Sequence, residues 1–164
     1  KCQRSKNTIV LVEAITTGNN NTTSTIGMFA SHAWSVNPSS YGDGECFLFR
    51  ANPNPKCFNW QPDFSGDEDF ESQAVREQFM VAKNDFLAMG ANSDGANGLR
   101  LDSDLIKGES HSALGFDSEP LAGFNKTFDV GVVEVYRLIR EVDGKSIDGH
   151  NTTAFWDLQG FVND

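Results

Sequence analysis

The chain has 164 residues, 38% of them hydrophobic, and its 23 acidic against 13 basic residues give a formal net charge of -10. This length suits one domain that buries roughly two thirds of the surface of the unfolded chain. The excess of carboxylates argues against a nucleic-acid partner and against an anionic membrane surface, since clustered Lys and Arg residues recognise both, but it suits a basic protein partner.

Two β-branched runs near the N-terminus predict a first hairpin. Residues 8–15, TIVLVEAI, are apolar at both odd and even positions, which is typical of a strand buried on two faces. Residues 18–24 form a Gly/Asn/Thr turn cluster, and the apolar pattern resumes at residues 25–33. We therefore expect these two strands to pair around a loose tip.

A second hairpin is expected at residues 45–60, ECFLFRANPNPKCFNW, where aromatic runs flank an Asn-Pro-Asn-Pro turn. If the pairing axis runs through the middle of this turn, Phe49 lies opposite Phe58 and Phe47 lies opposite Trp60. The alternation of side chains along a strand then predicts all four rings on one face, which a second layer must cover. In this register, truncating Phe49 to alanine would cost roughly 3 to 5 kcal/mol.

The rest of the chain predicts further strands and leaves one segment open. After an acidic stretch at residues 63–71, apolar side chains recur at near-helical spacing as far as Phe79, so a short surface helix and a solvated acidic loop are both alternatives. The tail from residue 140 carries Asp-Gly turn signals before a run of apolar residues. Strands are expected at residues 86–90, 98–101 and 128–139, with a turn or a single helical turn at residues 102–108.

Several short motifs imitate reactive or ligand-binding sites, but each lacks a required feature. Segment 108–112, GESHS, lacks the closing glycine of a nucleophile elbow, and segment 144–146, GKS, lacks the upstream glycine of a phosphate-binding loop. Residues 102–104, DSD, begin like a calcium loop, yet Lys107 stands where that loop needs glycine. The three histidines have no metal-ligand spacing. We therefore expect no catalytic site, no cofactor and no metal.

The cysteines and the apolar segments bear on the cellular compartment. Cys2, Cys46 and Cys57 are odd in number and have no framework spacing, so we expect reduced thiols and no disulfide-stabilised fold. No signal-like segment opens the chain, and no apolar run approaches the length of a membrane span. These observations predict an intracellular, cytoplasmic protein without direct membrane insertion.

Five sequence blocks occur in an order that points to one domain family. They are IGMFASHAW (26–34), YGDGECFLF (41–49), LAMGANSDGANGLRLDSDLIKGES (87–110), GFDSEPLA (115–122) and VVEVYRL (132–138). In this order they resemble the TLDc domain, the module of oxidation-resistance proteins that also occurs in some TBC-containing and nuclear-receptor-coactivator proteins. The resemblance covers about residues 8–138 and implies one TLDc-like domain within residues 1–164, with residues 140–164 as a C-terminal extension.

The chain departs from the family pattern at several points. Ala113 takes the place of the cysteine usual in the family, and Gly115 takes the place of a threonine. A mechanism in which that cysteine scavenges oxidant therefore cannot operate here. Tyr136 replaces the usual tryptophan, and the helical opening part of the domain has no counterpart ahead of Thr8.

The resemblance implies both a fold and a function. The implied fold is α+β and mainly β, with two antiparallel sheets packed as a sandwich and a few short peripheral helices. The implied function is a non-enzymatic protein-interaction module, linked to oxidative-stress resistance and to regulation of the vacuolar-type proton ATPase through its subunits. Two alternatives stay open, namely a redox-active or hydrolytic enzyme domain, with Cys46 or Cys57 as the redox group, and a structural linker module of a larger protein.

Four carboxylates within the family-like blocks are candidate site residues: Glu45, Asp102, Asp104 and Glu134. In one interpretation, Asp102 and Asp104 accept backbone N–H bonds that fix the turn before Leu105, while Glu45 and Glu134 lie at a solvated sheet edge. In the other, the carboxylates contribute to an acidic docking face for a basic partner, in keeping with the net charge of -10.

Overall fold

The computed structural model describes residues 5–17, 21–63, 70–123, 126–139, 141–142 and 145–146. The strands are β1 (Thr8–Thr16), β2 (Thr22–Ala30), β3 (Phe47–Asn52), β4 (Lys56–Asn59), β5 (Met80–Ala82), β6 (Phe86–Ala91), β7 (Asn97–Asp102), β8 (Lys107–Glu109), β9 (Thr127–Arg137), β10 (Glu141–Val142) and β11 (Lys145–Ser146). Helix α1 spans Phe70–Arg76, and Leu114–Phe116 form a single 3-10 turn. The prediction of a mainly β fold is confirmed.

The main strands form one antiparallel sheet of nine strands, in the order β4-β3-β2-β1-β9-β8-β7-β6-β5. The predicted sandwich of two packed sheets was therefore wrong, because the strands around the core belong to one sheet and β10 and β11 pair only with each other. The sheet is bent, because Leu48 of β3 contacts Gly98 of β7 although four strands lie between theirs in the sheet order. Tyr41 and Met80 exchange backbone hydrogen bonds of 2.9 and 2.8 Å across the same junction. Bending lets one sheet cover its own apolar face, as a second sheet would.

The N-terminal hairpin is confirmed, with β1 paired to β2 from Thr8↔Ala30 to Thr16↔Thr22. Strand β1 also pairs with β9 and so lies inside the sheet. Its burial alternates, however, because the face that carries Val10 and Val12 is fully buried whereas Ile9 and Leu11 are only half-buried. The expectation of burial on both faces was thus right for one face only.

The aromatic hairpin also exists, but its register differs by one residue from the prediction. Leu48 pairs with Phe58, and Phe49 pairs with Cys57. The pairing axis of the hairpin therefore passes through one residue of the turn, whereas the prediction placed it between two turn residues. Because neighbouring side chains point to opposite faces, this shift separates the four rings. Phe58 is buried beside Leu48 and Trp60 packs against the core, whereas Phe47 and Phe49 lie on the other face.

Other predicted elements are found close to their expected positions. Strands β6, β7 and β9 are confirmed. Of the two alternatives after the acidic stretch, a short helix or a loop, the structure has the helix, α1 at Phe70–Arg76. The short strands β5 and β8 had no clear sequence signal. Apart from β10 and β11, the predicted C-terminal extension lies outside the described residues, as do residues 64–69 of the acidic stretch.

Candidate functional site

The motif that imitates a nucleophile elbow holds a structural hydroxyl. Ser110 is fully buried, and its Oγ donates to the Gly98 carbonyl at 2.8 Å and accepts from the Leu121 amide at 2.7 Å. The hydroxyl proton and a lone pair are thus used in joining β7 to the loop that follows β8. Within the described ranges, no group of three or more His, Cys, Asp or Glu side chains is placed to hold a metal ion.

An open cavity of about 210 Å³ lies beside the 3-10 turn. Its lining groups are mostly small and polar, and several already hold the surrounding loops. The Asn92 Oδ1 accepts from the Asp94 and Ala96 amides, and the Ser118 Oγ accepts from the Ala113 amide at 3.1 Å. Ala113 is itself 1% exposed. The position at which the family resemblance expects a cysteine is therefore buried under this cavity.

The two described thiols have different environments. The Cys46 thiol is buried and lies 3.2 Å from the Ser31 hydroxyl, which lies 3.0 Å from Nδ1 of His32. Cys57 is exposed, and it lies on the same face of the sheet as Phe49, its partner in the pairing of β3 with β4. Partial desolvation nevertheless raises the pKa of the Cys57 thiol, and a hydrogen bond with the backbone of Phe58 opposes this effect only in part.

These environments predict different reaction rates with iodoacetamide. Cys57 should be alkylated at least about tenfold faster than Cys46, because the buried thiol reacts only when the structure opens. Because the Cys57 pKa is raised, its rate should continue to increase at pH values where an unstructured cysteine peptide has already levelled off. Mass spectrometry of the two labelled peptides across a pH series measures both effects. Equal rates for the two thiols, or a Cys57 profile that matches the reference peptide, would contradict this assignment.

An apolar surface on the side of the sheet away from the core is the most extended candidate site. We call it the outer face. Phe29 and Phe47 stack with ring centroids 4.9 Å apart, and Phe49 lies 6.1 Å from Phe47. The Phe49 ring lies directly over Gly27, where a Cβ would collide with it. The outer face consists of six half-buried residues on four adjacent strands: Ile9, Leu11, Phe29, Phe47, Phe49 and Tyr136.

The sequence did not predict the outer face, because the predicted hairpin register placed Phe47 and Phe49 in the core. The sequence contains only a partial signal, the glycine at position 27 inside a predicted strand, which pairs with Phe49 in the structure. A glycine within a strand leaves room for a ring from the neighbouring strand. A contiguous apolar surface of this kind usually marks an interaction site.

Two of the predicted carboxylates lie in the turn between β7 and β8. The Asp104 Oδ1 accepts from the Ile106 amide at 3.0 Å. The Asp102 carboxylate instead accepts from Arg100 Nη2 at 3.2 Å, and it is the Asp102 backbone carbonyl that accepts from the Leu105 amide at 2.9 Å. The turn therefore uses the side chain of one aspartate and the main chain of the other.

The other two carboxylates are far from each other in the sheet. Glu45 is exposed in the loop before β3, and its backbone amide donates to the Asp43 carboxylate at 3.0 Å. Glu134 lies on the same side of β9 as Tyr136, and its carboxylate raises the pKa of the Tyr136 hydroxyl through a hydrogen bond. The structure thus does not gather all four carboxylates into one face, and their role in docking stays a prediction.

The chain is similar in sequence to curated proteins named for oxidation resistance and to a nuclear receptor coactivator. It is 32% identical over 139 residues to "Oxidation resistance protein 1" of Podospora anserina, an alignment that covers 67% of this chain and 40% of the relative. It is 35% identical over 96 residues to "Oxidation resistance protein 1" of Bos taurus, covering 58% of this chain and 10% of the relative. "Nuclear receptor coactivator 7" of Gallus gallus is 32% identical over 110 residues, covering 67% of this chain and 11% of the relative.

The chain therefore spans less than half the length of each of these relatives. None of the helices in the described ranges has the length and apolarity that a bilayer crossing requires.

The family model described as "TLDc domain" matches residues 1–139, which extends the range of about 8–138 that the sequence blocks indicated. On this match, together with the mainly β fold and the relatives named for oxidation resistance, the chain belongs to the TLDc domain family.

Proposed function

We propose that this chain is a non-enzymatic, cytoplasmic protein-interaction module that contributes to oxidative-stress resistance by binding the vacuolar-type proton ATPase and regulating its assembly. The observation that carries the proposal is the outer face, where Phe47 contacts the rings of both Phe29 and Phe49 on the surface of the sheet. The names of the relatives support the link to oxidation resistance.

The chemistry of the outer face suits a protein partner. Aromatic side chains are enriched in the centres of protein interfaces, and they contribute large contact areas at a low entropic cost. Phe47 stands at the middle of the three rings and contacts both of the others. The net charge of -10 would speed association with a basic subunit. The aromatic rings would therefore supply binding energy, whereas the net charge would raise the association rate.

Two observations support a non-enzymatic role. The Ser110 hydroxyl is held by two backbone groups, and the Cys46 thiol is buried against Ser31. A nucleophile needs a base within hydrogen-bond reach and access to substrate. Neither group combines both features.

The proposal can be tested with purified vacuolar-type ATPase and its detached soluble sector. We expect the full chain to bind the enzyme and to change the fraction of soluble sector that detaches. Phe47→Ala should lower the affinity at least about tenfold, because a central aromatic contact is lost. Val36→Ala is the matched control, since Val36 is a 60% exposed apolar residue outside the outer face. Absence of binding by the parent chain, or equal binding by Phe47→Ala when circular dichroism shows both to be folded, would overturn the proposal.

A further inference from the structure

Strand β9 has an open edge over its C-terminal half. Its pairing with β8 covers only residues 127–129, and the last bond on that side runs from the Val130 amide to the Ile106 carbonyl at 2.9 Å. On the β8 side, the residues that precede Ile106 belong to the turn from β7. No described strand therefore continues alongside residues 131–137. An open edge of this length presents backbone donors and acceptors in the geometry that a further strand requires.

The register with β1 shows which backbone groups point outward from this edge. The Leu138 amide donates to the Asn7 carbonyl at 2.7 Å, and Glu134 pairs with Leu11 in the same register. Because antiparallel ladders alternate, Glu134 and Tyr136 bond to β1, and the main-chain groups of Val133 and Val135 point to the open side. The pairing of β8 with β9 ends at Asp129, so no described strand faces these two amides.

Exposed apolar side chains gather at the same place. Large hydrophobic residues that are exposed in the described chain include Val132 at 53% and Val135 at 43%, both on this stretch of β9. Leu105 at 41% and Ile106 at 59% belong to the adjacent turn, where Ile106 makes the last bond to β9. Native open edges are usually protected by proline, lysine or a bulge. Residues 131–136, GVVEVY, contain neither proline nor lysine, and the irregularity in the pairing with β1 falls between Val130 and Val133, at the start of the stretch, so Val133 and the residues after it pair regularly with β1.

The charges around the edge are mainly negative. The Glu13 carboxylate lies over Gly131, Glu134 is exposed on β9, and Asp104 is exposed in the adjacent turn. The Lys107 ammonium, the cation in the adjacent turn, is already paired with the Asp129 carboxylate. An added strand would thus be favoured by lysine or arginine beside Glu134 and by apolar side chains beside Val133 and Val135.

We propose that the open edge of β9 at residues 131–137 binds an extended, basic segment of a protein partner as a tenth, antiparallel strand. This inference rests on the proposed function as an interaction module and names the surface and the chemistry of one contact. Main-chain hydrogen bonds from Val133 and Val135 supply affinity, and the carboxylates of Glu134, Glu13 and Asp104 select the charge of the segment.

The test uses the full chain and a capped alternating Lys-Val octapeptide as the probe. Nuclear magnetic resonance titration should show the largest shifts at residues 131–137. A Glu-Val octapeptide of the same length should bind at least about tenfold more weakly, because its carboxylates meet Glu134. The Lys-Val peptide with N-methyl groups at alternate residues should also lose about tenfold, because it cannot complete the ladder. Equal binding of the three peptides, or shifts confined to another surface, would overturn the proposal.

Protein variants test the same contact from the other side. Val135→Pro removes an outward amide that the ladder to β1 does not use, and proline is tolerated at such edge positions. It should weaken the Lys-Val peptide about tenfold, whereas the matched variant Val135→Thr keeps the amide and should bind as the parent does. Glu134→Lys should reverse the preference between the Lys-Val and Glu-Val peptides. If Val135→Pro fails to fold, Glu134→Lys and the N-methylated peptide still decide.

Amide hydrogen exchange of the free chain distinguishes the other occupants. We expect fast exchange at Val133 and Val135 at every protein concentration, and slow exchange once the Lys-Val peptide is bound. Slow exchange in the free chain that depends on concentration would mean that a second copy occupies the edge. Slow exchange independent of concentration would mean that the chain covers its own edge, and either result would overturn the proposal.

The outcome can be separated from that of the proposed function. Normal binding of Val135→Pro to the vacuolar-type ATPase together with loss of binding by Phe47→Ala would remove the edge from that contact and leave the function standing. Peptide binding at the edge without any binding to the ATPase would leave the edge as an interaction site and reject the proposed partner.

Discussion

Replacing Leu48 with alanine should lower the free energy of unfolding by about 3 to 5 kcal/mol, the range for a fully buried leucine whose cavity cannot collapse. Leu48 is 0% exposed and contacts Gly98 on the opposite part of the bent sheet. Phe49→Ala is the matched control in the next position, where the larger side chain is only half-buried on the outer face. Its cost should be smaller, about 1 to 2 kcal/mol, because part of its area is already in contact with water.

Urea denaturation of the two variants measures the difference. The order of the two costs is the informative quantity, because the predicted register that buries Phe49 reverses it. A Phe49→Ala variant that is less stable than Leu48→Ala would contradict the observed pairing of Leu48 with Phe58. The slope of the unfolding free energy against urea should stay unchanged in both variants if the unfolded states are alike.

Local sequence patterns were sufficient to predict most strands. The β-branched run at Thr8–Thr16, the turn cluster after it and the Asn-Pro-Asn-Pro turn act over a few residues, and the structure has a hairpin at both places. The register of the aromatic hairpin, in contrast, depends on where the axis crosses a turn that offers two nearly equivalent centres. A shift of the pairing register by one residue moves the side chains of one strand to the opposite face relative to the other strand. Phe47 and Phe58, which the prediction placed on the same face, therefore lie on opposite faces.

The bend of the sheet could not be predicted, because it depends on contacts between residues that are distant in the sequence. Leu48 and Gly98 carry no mutual signal in a single chain, and neither do Tyr41 and Met80. The short strand β8 has the same origin, since its three residues are strand-like only because β7 and β9 flank them. Packing decides such elements where local propensity is weak.

The candidate site was predictable only where a side chain acts on its own turn. Asp104 accepts the amide two residues ahead, a local bond that aspartate favours. Asp102 does not do so with its side chain, because Arg100 lies two residues away on the same face of β7 and binds its carboxylate. The outer face and the open edge of β9 required the strand order, which places β9 between β1 and a much shorter β8.

The contact that closes the bent sheet can be measured with a double-mutant cycle. A Cβ at Gly98 would lie 2.6 Å from Leu48 Cδ1, 2.8 Å from Ala113 Cβ and 3.0 Å from the Met89 carbonyl. We expect Gly98→Ala to cost about 1 to 3 kcal/mol, as overpacking of a dense core does. In the Leu48→Ala background its cost should fall by about 1 kcal/mol, because one of the three clashes is relieved while the other two remain.

Gly95→Ala provides the control for this cycle, since a Cβ at Gly95 meets no heavy atom within 4 Å. Its own cost comes from the positive φ of 78°, which an alanine adopts with strain. That strain is local to the turn between β6 and β7, so its cost should be the same with leucine or alanine at position 48. Urea unfolding of the two sets of single and double variants gives both coupling energies. Coupling of Leu48 to Gly98 no larger than its coupling to Gly95 would show that β3 and β7 do not meet in solution.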